Sequence, residues 1–333
     1  MATDSLLLTT PQIVTIILGS VGLAIPVIDA IRKERGSNNH LYSAAAFGAL
    51  IVSISFVIFR IISGEVVPAV QFNVSGVLSN DLFGSFFAIA LLIVSIMVTA
   101  SSWNYMDRRA NPAAYYSLIL LSSVGMVLIA YSTDLVMLLV AWELMSLPTY
   151  ALAAFSKRDP ISTEAAVKYF MFGALSSAIL VLAIGLVYGI TGTTNIGSAI
   201  HAMANLSKDL VPIGLLSIAL FIAGFGFKIS AVPFHLWTAD VYEGSPSAVT
   251  AYLSVISKGA ILFVMTTVMF NAFQPLAAEW YQVLFVLAIA TMIIGNLFAL
   301  RQTNLKRLLA FSLAAKSSFS FKCMATVSLF CVC

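Results

Sequence analysis

Charge is what this sequence has least of. Only 9% of its 333 residues are Asp, Glu, Lys or Arg, while 60% are hydrophobic. A water-facing domain carries about 25% charged residues, so this chain cannot cover a soluble surface and reads as an all-α polytopic membrane protein. Cysteine is nearly as scarce. Cys323, Cys331 and Cys333 all fall in the last eleven residues, which suggests neither a disulfide framework nor a CxxC metal site. No Cys or His cluster is available to ligate haem or an iron–sulfur centre, so no metal or cofactor is assigned to this chain. No GxxxxGK[ST] or GxGxxG loop is present to cradle a phosphate. A net charge of +3 without a dense basic patch excludes nucleic acid as a partner. The N-terminal MATDSLLLTTPQ has no basic segment ahead of its first apolar run, so no cleaved signal peptide is expected. No window alternates with period two, which argues against a membrane barrel.

What the sequence does have is long apolar windows. They fall at roughly 12–31, 41–62, 81–103, 114–131, 133–155, 163–189, 211–237, 246–273, 280–300 and 308–330, each near the 20 residues a spanning helix needs. About ten transmembrane helices are therefore expected. The fourth and fifth form a tight hairpin separated by little more than Ser132. Basic residues collect in the odd loops: Arg32, Lys33 and Arg35, then Arg108 and Arg109, Lys157 and Arg158, and Arg301, Lys306 and Arg307. By the positive-inside tendency those loops are cytoplasmic and the N-terminus lies outside. Lys208 is an exception, and Arg60, at a helix end, is expected to snorkel. Residues 63–80 read as an external loop. Within 190–210, Ile196, Ile200, Met203 and Leu206 sit at helical spacing, which predicts a short amphipathic surface helix.

Three ionisable residues interrupt the windows: Glu143, Lys228 and Lys258. Each costs roughly 2.5–3.5 kcal/mol at a helix centre. Glu143 lies nine residues past Asp134, about 13 Å into the span at 1.5 Å per residue. Lys258, twelve residues past Pro246, is similarly deep. One ion pair uses two of the three groups and leaves a Lys over. A carboxylate about 4 Å from an ammonium stabilises it by about 4 kcal/mol at an effective dielectric of 20, roughly three pK units. Withdrawing the carboxylate then releases the proton. A Glu–Lys–Lys set can therefore load and pass protons if one distance is controlled. Pro233 cannot donate to the Ile229 carbonyl and its ring clashes there, so the seventh helix is expected to break just after Lys228. Broken backbone at membrane depth survives only where protein or a wet cavity satisfies it. His235, just past the break, is either a proton relay or a cap for freed carbonyls. Lys168 either snorkels to the cytoplasmic face or opens a route for proton uptake. Trp103, Trp142, Trp237 and Trp280 read as interfacial anchors or packing, and Gly224 and Gly226 as a close helix contact.

Three blocks, WELMSLPTYAL (142–152), FGFKISAVPFHLWTADVYEGSPSAVTAYLSVISKGA (225–260) and LRQTNLKRLLAFS (300–312), resemble the antiporter-like proton-pumping subunits of respiratory complex I. The likeness is greatest to the subunit N (subunit 2) type, with the archaeal F420H2 dehydrogenase counterpart equally close. The resemblance implies that Glu143 pairs with Lys228 on a broken helix and that Lys258 carries protons onward. It implies a three-helix segment at 1–113, a first five-helix repeat at 114–273 and the start of a second at 274–312. It also implies a prokaryotic cell membrane rather than an organelle inner membrane, and partners that are other membrane subunits of a complex I-like assembly. Quinone or methanophenazine, NADH or F420H2, flavin and iron–sulfur clusters would belong to those partner subunits. Where a family member continues with a pattern like SSIAQAGY, this chain reads LAAKSSFSFKCMATVSLFCVC, so 313–333 is expected to be an aberrant tail of a frameshifted or truncated product. Two other readings stay open: a subunit of a multi-subunit Mrp-type cation/proton antiporter, and an inactive fragment.

Overall fold

A computed structural model describes residues 8–32, 39–67, 76–106, 111–156 and 158–317. Lys33, Arg35, Arg108, Arg109, Lys157, Lys322 and the three cysteines, with parts of the expected 63–80 loop and of the tenth window, lie outside the described residues. Among the described residues there is no strand, and nine helical segments are long and apolar enough to cross a membrane. The expected all-α polytopic architecture is therefore present. The chain divides into two compact units. Residues 1–133 and 140–149 form the first, and 134–139 and 150–333 the second.

In the first unit, α1 (Thr10–Ile31) packs along α4 (Pro112–Tyr131) and α2 (Asn39–Ile62), while α3 (Leu82–Met106) packs along α2 and α4. Helix α4 is buried on nearly every side. Two of its hydroxyls bond inside the protein, as an apolar surround favours: Ser117 donates to the Gly22 carbonyl at 2.5 Å and Ser123 to Ser95 at 3.1 Å. Three residues, 132–134, join α4 to α5 (Leu135–Ala153), which confirms the tight hairpin. Asp134 caps α5 by accepting from the Val136 and Met137 amides at 2.8 and 3.1 Å. Gly125 lets the middle of α5 touch α4. A Cβ there would fall on the Met145 amide nitrogen and lie 2.7 Å from its Cα. Arg60 does more than snorkel: it forms an ion pair with Glu65 and donates to Thr10 at 3.3 Å.

The second unit is built on α6 (Pro160–Thr191), whose 32 residues rise about 48 Å. Gly192, with φ 69°, ends it in the left-handed conformation that favours glycine. The short helix read within 190–210 is present as α7 (Ile196–Ala204), with Ile196, Ala199 and Met203 buried. Helices α8 (Val211–Ile229) and α9 (Leu236–Gly244) both pack along α6. The expected close contact at Gly224 is there: a Cβ would lie 2.7 Å from Leu180, and Ser176 bonds the Gly224 carbonyl at 2.8 Å. Gly226 instead faces Phe234 of its own loop. The eighth window carries an interruption that the sequence did not announce. Helix α10 (Ser247–Tyr252) runs through a π-helical turn, Leu253–Ser257, into α11 (Lys258–Asn271). Helix α12 (Ala277–Leu300) and a further stretch at 305–317, here α13, complete the unit.

The seventh window breaks where Pro233 predicts. Ser230 closes α8 with φ 65°, and the Val232–Pro233 peptide is cis. Backbone groups freed at a break need partners at membrane depth, and three of them find one in protein. The Gly226 carbonyl accepts from the Ala231 amide at 2.9 Å. The Phe227 carbonyl accepts from the Trp237 indole at 2.9 Å. The Val232 amide donates to Thr291 of α12 at 3.0 Å.

Candidate functional site

Each embedded charge sits at an irregular or specially packed point. Glu143 lies half-buried at the middle of α5, in the first unit. Lys228 and Lys258 lie in the second unit, 2% and 5% exposed. Lys228 occupies the last turn of α8, where the carbonyl end of the helix favours a cation. Its Nζ is 3.2 Å from the Tyr150 hydroxyl. It stands 5.0 Å above the Tyr150 ring and 5.6 Å above the Tyr169 ring, within cation–π reach. Tyr169 meets Tyr150 edge-on at 4.7 Å and stacks on Trp237 at 5.1 Å. Beside this cage lies a small cavity, with room for about one water, bounded by Tyr169, Gly173, Ser176, Lys228 and Trp237.

Lys258 begins α11 directly after the π-helical turn. Its Nζ is buried without a hydrogen-bond partner among the described residues and lies 5.8 Å from the Tyr242 ring centre. His235, 6% exposed, lies beside the stacked rings of Phe298 and Phe311, at 5.6 and 6.3 Å from their centres. Neither of its nitrogens has a hydrogen-bond partner among the described residues. The Trp237 indole and the Ala231 amide cap the Phe227 and Gly226 carbonyls, and His235 lies against the Pro233 backbone. Trp142, Trp237 and Trp280 are all buried, so they pack rather than anchor at an interface.

Lys168, its side chain 37% exposed, has carboxylate partners. It forms ion pairs with Asp240 and Glu164, both at 2.7 Å. Asp240 also accepts from Arg307 at 2.8 Å, and Arg307 reaches Glu243 at 2.8 Å. Lys306 adds bonds to the Ser245 and Glu243 carbonyls at 2.7 and 3.3 Å. The seventh loop, silent in the count of basic residues, thus supplies carboxylates that clamp Lys168 of α6 and Arg307 of the ninth loop. Burial alone would raise the Asp240 carboxyl, but the Lys168 ammonium and Arg307 guanidinium reverse this and hold it below its ordinary value. A depressed carboxyl contributes stability that is complete above its unfolded value, about 4, and is lost as pH falls through the folded value. Asp240→Asn is therefore expected to cost on the order of 1 kcal/mol at pH 7. The difference from wild type should shrink below about pH 4, as read by thermal unfolding in detergent across pH.

A family model described as "NADH:quinone oxidoreductase/Mrp antiporter, TM" matches residues 132–328. The chain is 35% identical over 338 residues to NADH-quinone oxidoreductase subunit N of Desulfitobacterium hafniense, covering 99% of this chain and 64% of that one. It is 38% identical over 265 residues to F(420)H(2) dehydrogenase subunit N of Methanosarcina mazei, covering 78% and 53%. Among solved structures, a chain of respiratory complex I from Thermus thermophilus with bound aureothin superposes with a TM-score of 0.73 at 29% identity, covering 92% of this chain and 62% of that one. The chain spans between half and two thirds of the length of each of these.

Proposed function

The chain belongs to the NADH:quinone oxidoreductase/Mrp antiporter family of membrane subunits, and from that premise we propose that it is the proton-translocating membrane subunit of a complex I-like oxidoreductase. The observation that carries this reading is Lys228: a buried amine held by aromatic rings at the end of a broken helix. An intramembrane ionisable group is expensive and is a functional candidate by default. In this proposal the Glu143 carboxylate stabilises the Lys228 ammonium when near and releases its proton when withdrawn. Lys258, buried and without a hydrogen-bonding partner among the described residues, takes the proton onward, and His235 relays it. The Lys168–Asp240 pair stands at the uptake end.

Electron transfer from NADH or F420H2, through flavin and iron–sulfur clusters to quinone or methanophenazine, is assigned to partner subunits. We place the N-terminus outside a prokaryotic cell membrane and take 114–273 as the first five-helix repeat. The names of the relatives at 35% and 38% identity favour this assembly over a free-standing Mrp-type antiporter.

The test is Glu143→Gln in membrane vesicles containing the assembly. Electron flow with translocation lowered on the order of 100-fold is expected, the scale of losing a positioned proton-transfer group. Unchanged translocation rejects the role of Glu143.

A further inference from the structure

We infer that Tyr150 is the positioning residue for the Lys228 amine, holding Nζ at one point in both of its protonation states; this rests on the reading that Lys228 carries the translocated proton. The chemistry follows from what a phenol is. Its oxygen accepts and its hydrogen donates, whereas a carboxylate only accepts. When Lys228 is an ammonium, an N–H donates to the Tyr150 oxygen. When the ammonium has lost its proton, the Tyr150 O–H turns and donates to the amine lone pair. The phenol keeps its own proton throughout, so the only proton that leaves is the lysine's. The 3.2 Å contact serves both states, and Nζ need not swing when its charge changes.

The phenol is itself fixed. Tyr150 is 7% exposed and meets Tyr169 edge-on, while Tyr169 is locked by stacking on Trp237. Trp237 in turn is tied to the Phe227 carbonyl, in the residue beside Lys228. The hydroxyl occupies the space left by an absent side chain: a Cβ at Gly173 would fall on Oη and lie 2.6 Å from Cζ. The glycine in α6, the rings and the indole therefore form one closed frame around a single amine.

Two substitutions separate positioning from mere packing. Tyr150→Phe keeps both ring faces and removes only the oxygen. Gly173→Ala keeps the oxygen and pushes it off its seat. Both are made in the assembly in its own membrane, with the amount of inserted chain and the electron-transfer rate as checks on folding. Proton translocation is expected to fall about tenfold in each, since a hydrogen bond to a charged group is worth about 1.5 kcal/mol. The double variant is expected to lose no more than either single one. With ring-deuterated tyrosine, the infrared difference spectrum on a pH step should show a phenol band in the wild type. That band should be absent from both Tyr150→Phe and Lys228→Met, a signature that packing alone would not produce. Normal translocation by Tyr150→Phe, or a phenol band that survives in Lys228→Met, overturns the inference while leaving Lys228's own role standing. Normal translocation by Lys228→Met overturns both.

Discussion

Replacing Lys228 by Met should nearly abolish proton translocation, by on the order of 100-fold, without emptying the space its side chain fills. Met matches the length and apolar stem of Lys but cannot hold a proton, so the aromatic cage of Tyr150 and Tyr169 keeps an occupant. What disappears is the one group that both stands at the end of α8 and can be charged or neutral. The measurement is translocated protons per electron in vesicles, compared at equal electron flow. A ratio equal to wild type contradicts the assignment, because no packing argument restores a titrating amine.

The second large effect is structural and acts on Glu143. Gly125→Ala places a methyl on the Met145 amide nitrogen, 2.7 Å from its Cα and 2.8 Å from the Ala141 carbonyl. All three are backbone atoms of α5, so no side-chain rotation relieves the contact and the two helices must separate. Overpacking of this kind costs about 1–3 kcal/mol or more. Glu143 lies between Ala141 and Met145 on the same segment of α5 and moves with it. The expected result is a lower unfolding temperature in detergent together with reduced translocation. A larger side chain, as in Gly125→Leu, should prevent accumulation in the membrane. Wild-type stability for Gly125→Ala would mean that the close approach of α4 and α5 is not a constraint.

The elements that could be read from residue order were those governed by local chemistry. Spanning length, the tight turn at Ser132 and the stop at Pro233 depend on neighbours within a few positions, and each appears where that chemistry puts it. The embedded charges were legible because a Lys or Glu in an apolar window is conspicuous. Tyr150 was not. It stood inside a quoted block, but an aromatic residue in a helix is ordinary, and its partner is 78 positions away. Asp240 was missed for the same reason, since its cations arrive from Lys168 and Arg307, 72 and 67 residues distant. The π-helical turn before Lys258 contains neither Pro nor Gly, so nothing in LSVIS marks it. Nothing in the sequence marks the bond from the Trp237 indole to the Phe227 carbonyl, ten residues away.

The most direct measurement is of the amine itself. With the lysine Nζ atoms labelled with ¹⁵N, magnetic resonance of the assembly in its membrane, at rest and during electron flow, separates ammonium from neutral amine by chemical shift. The account predicts a lysine signal that moves between the two forms during turnover and is missing from Lys228→Met. If every lysine remains an ammonium through turnover while protons are still translocated, a buried amine at residue 228 is not what carries them.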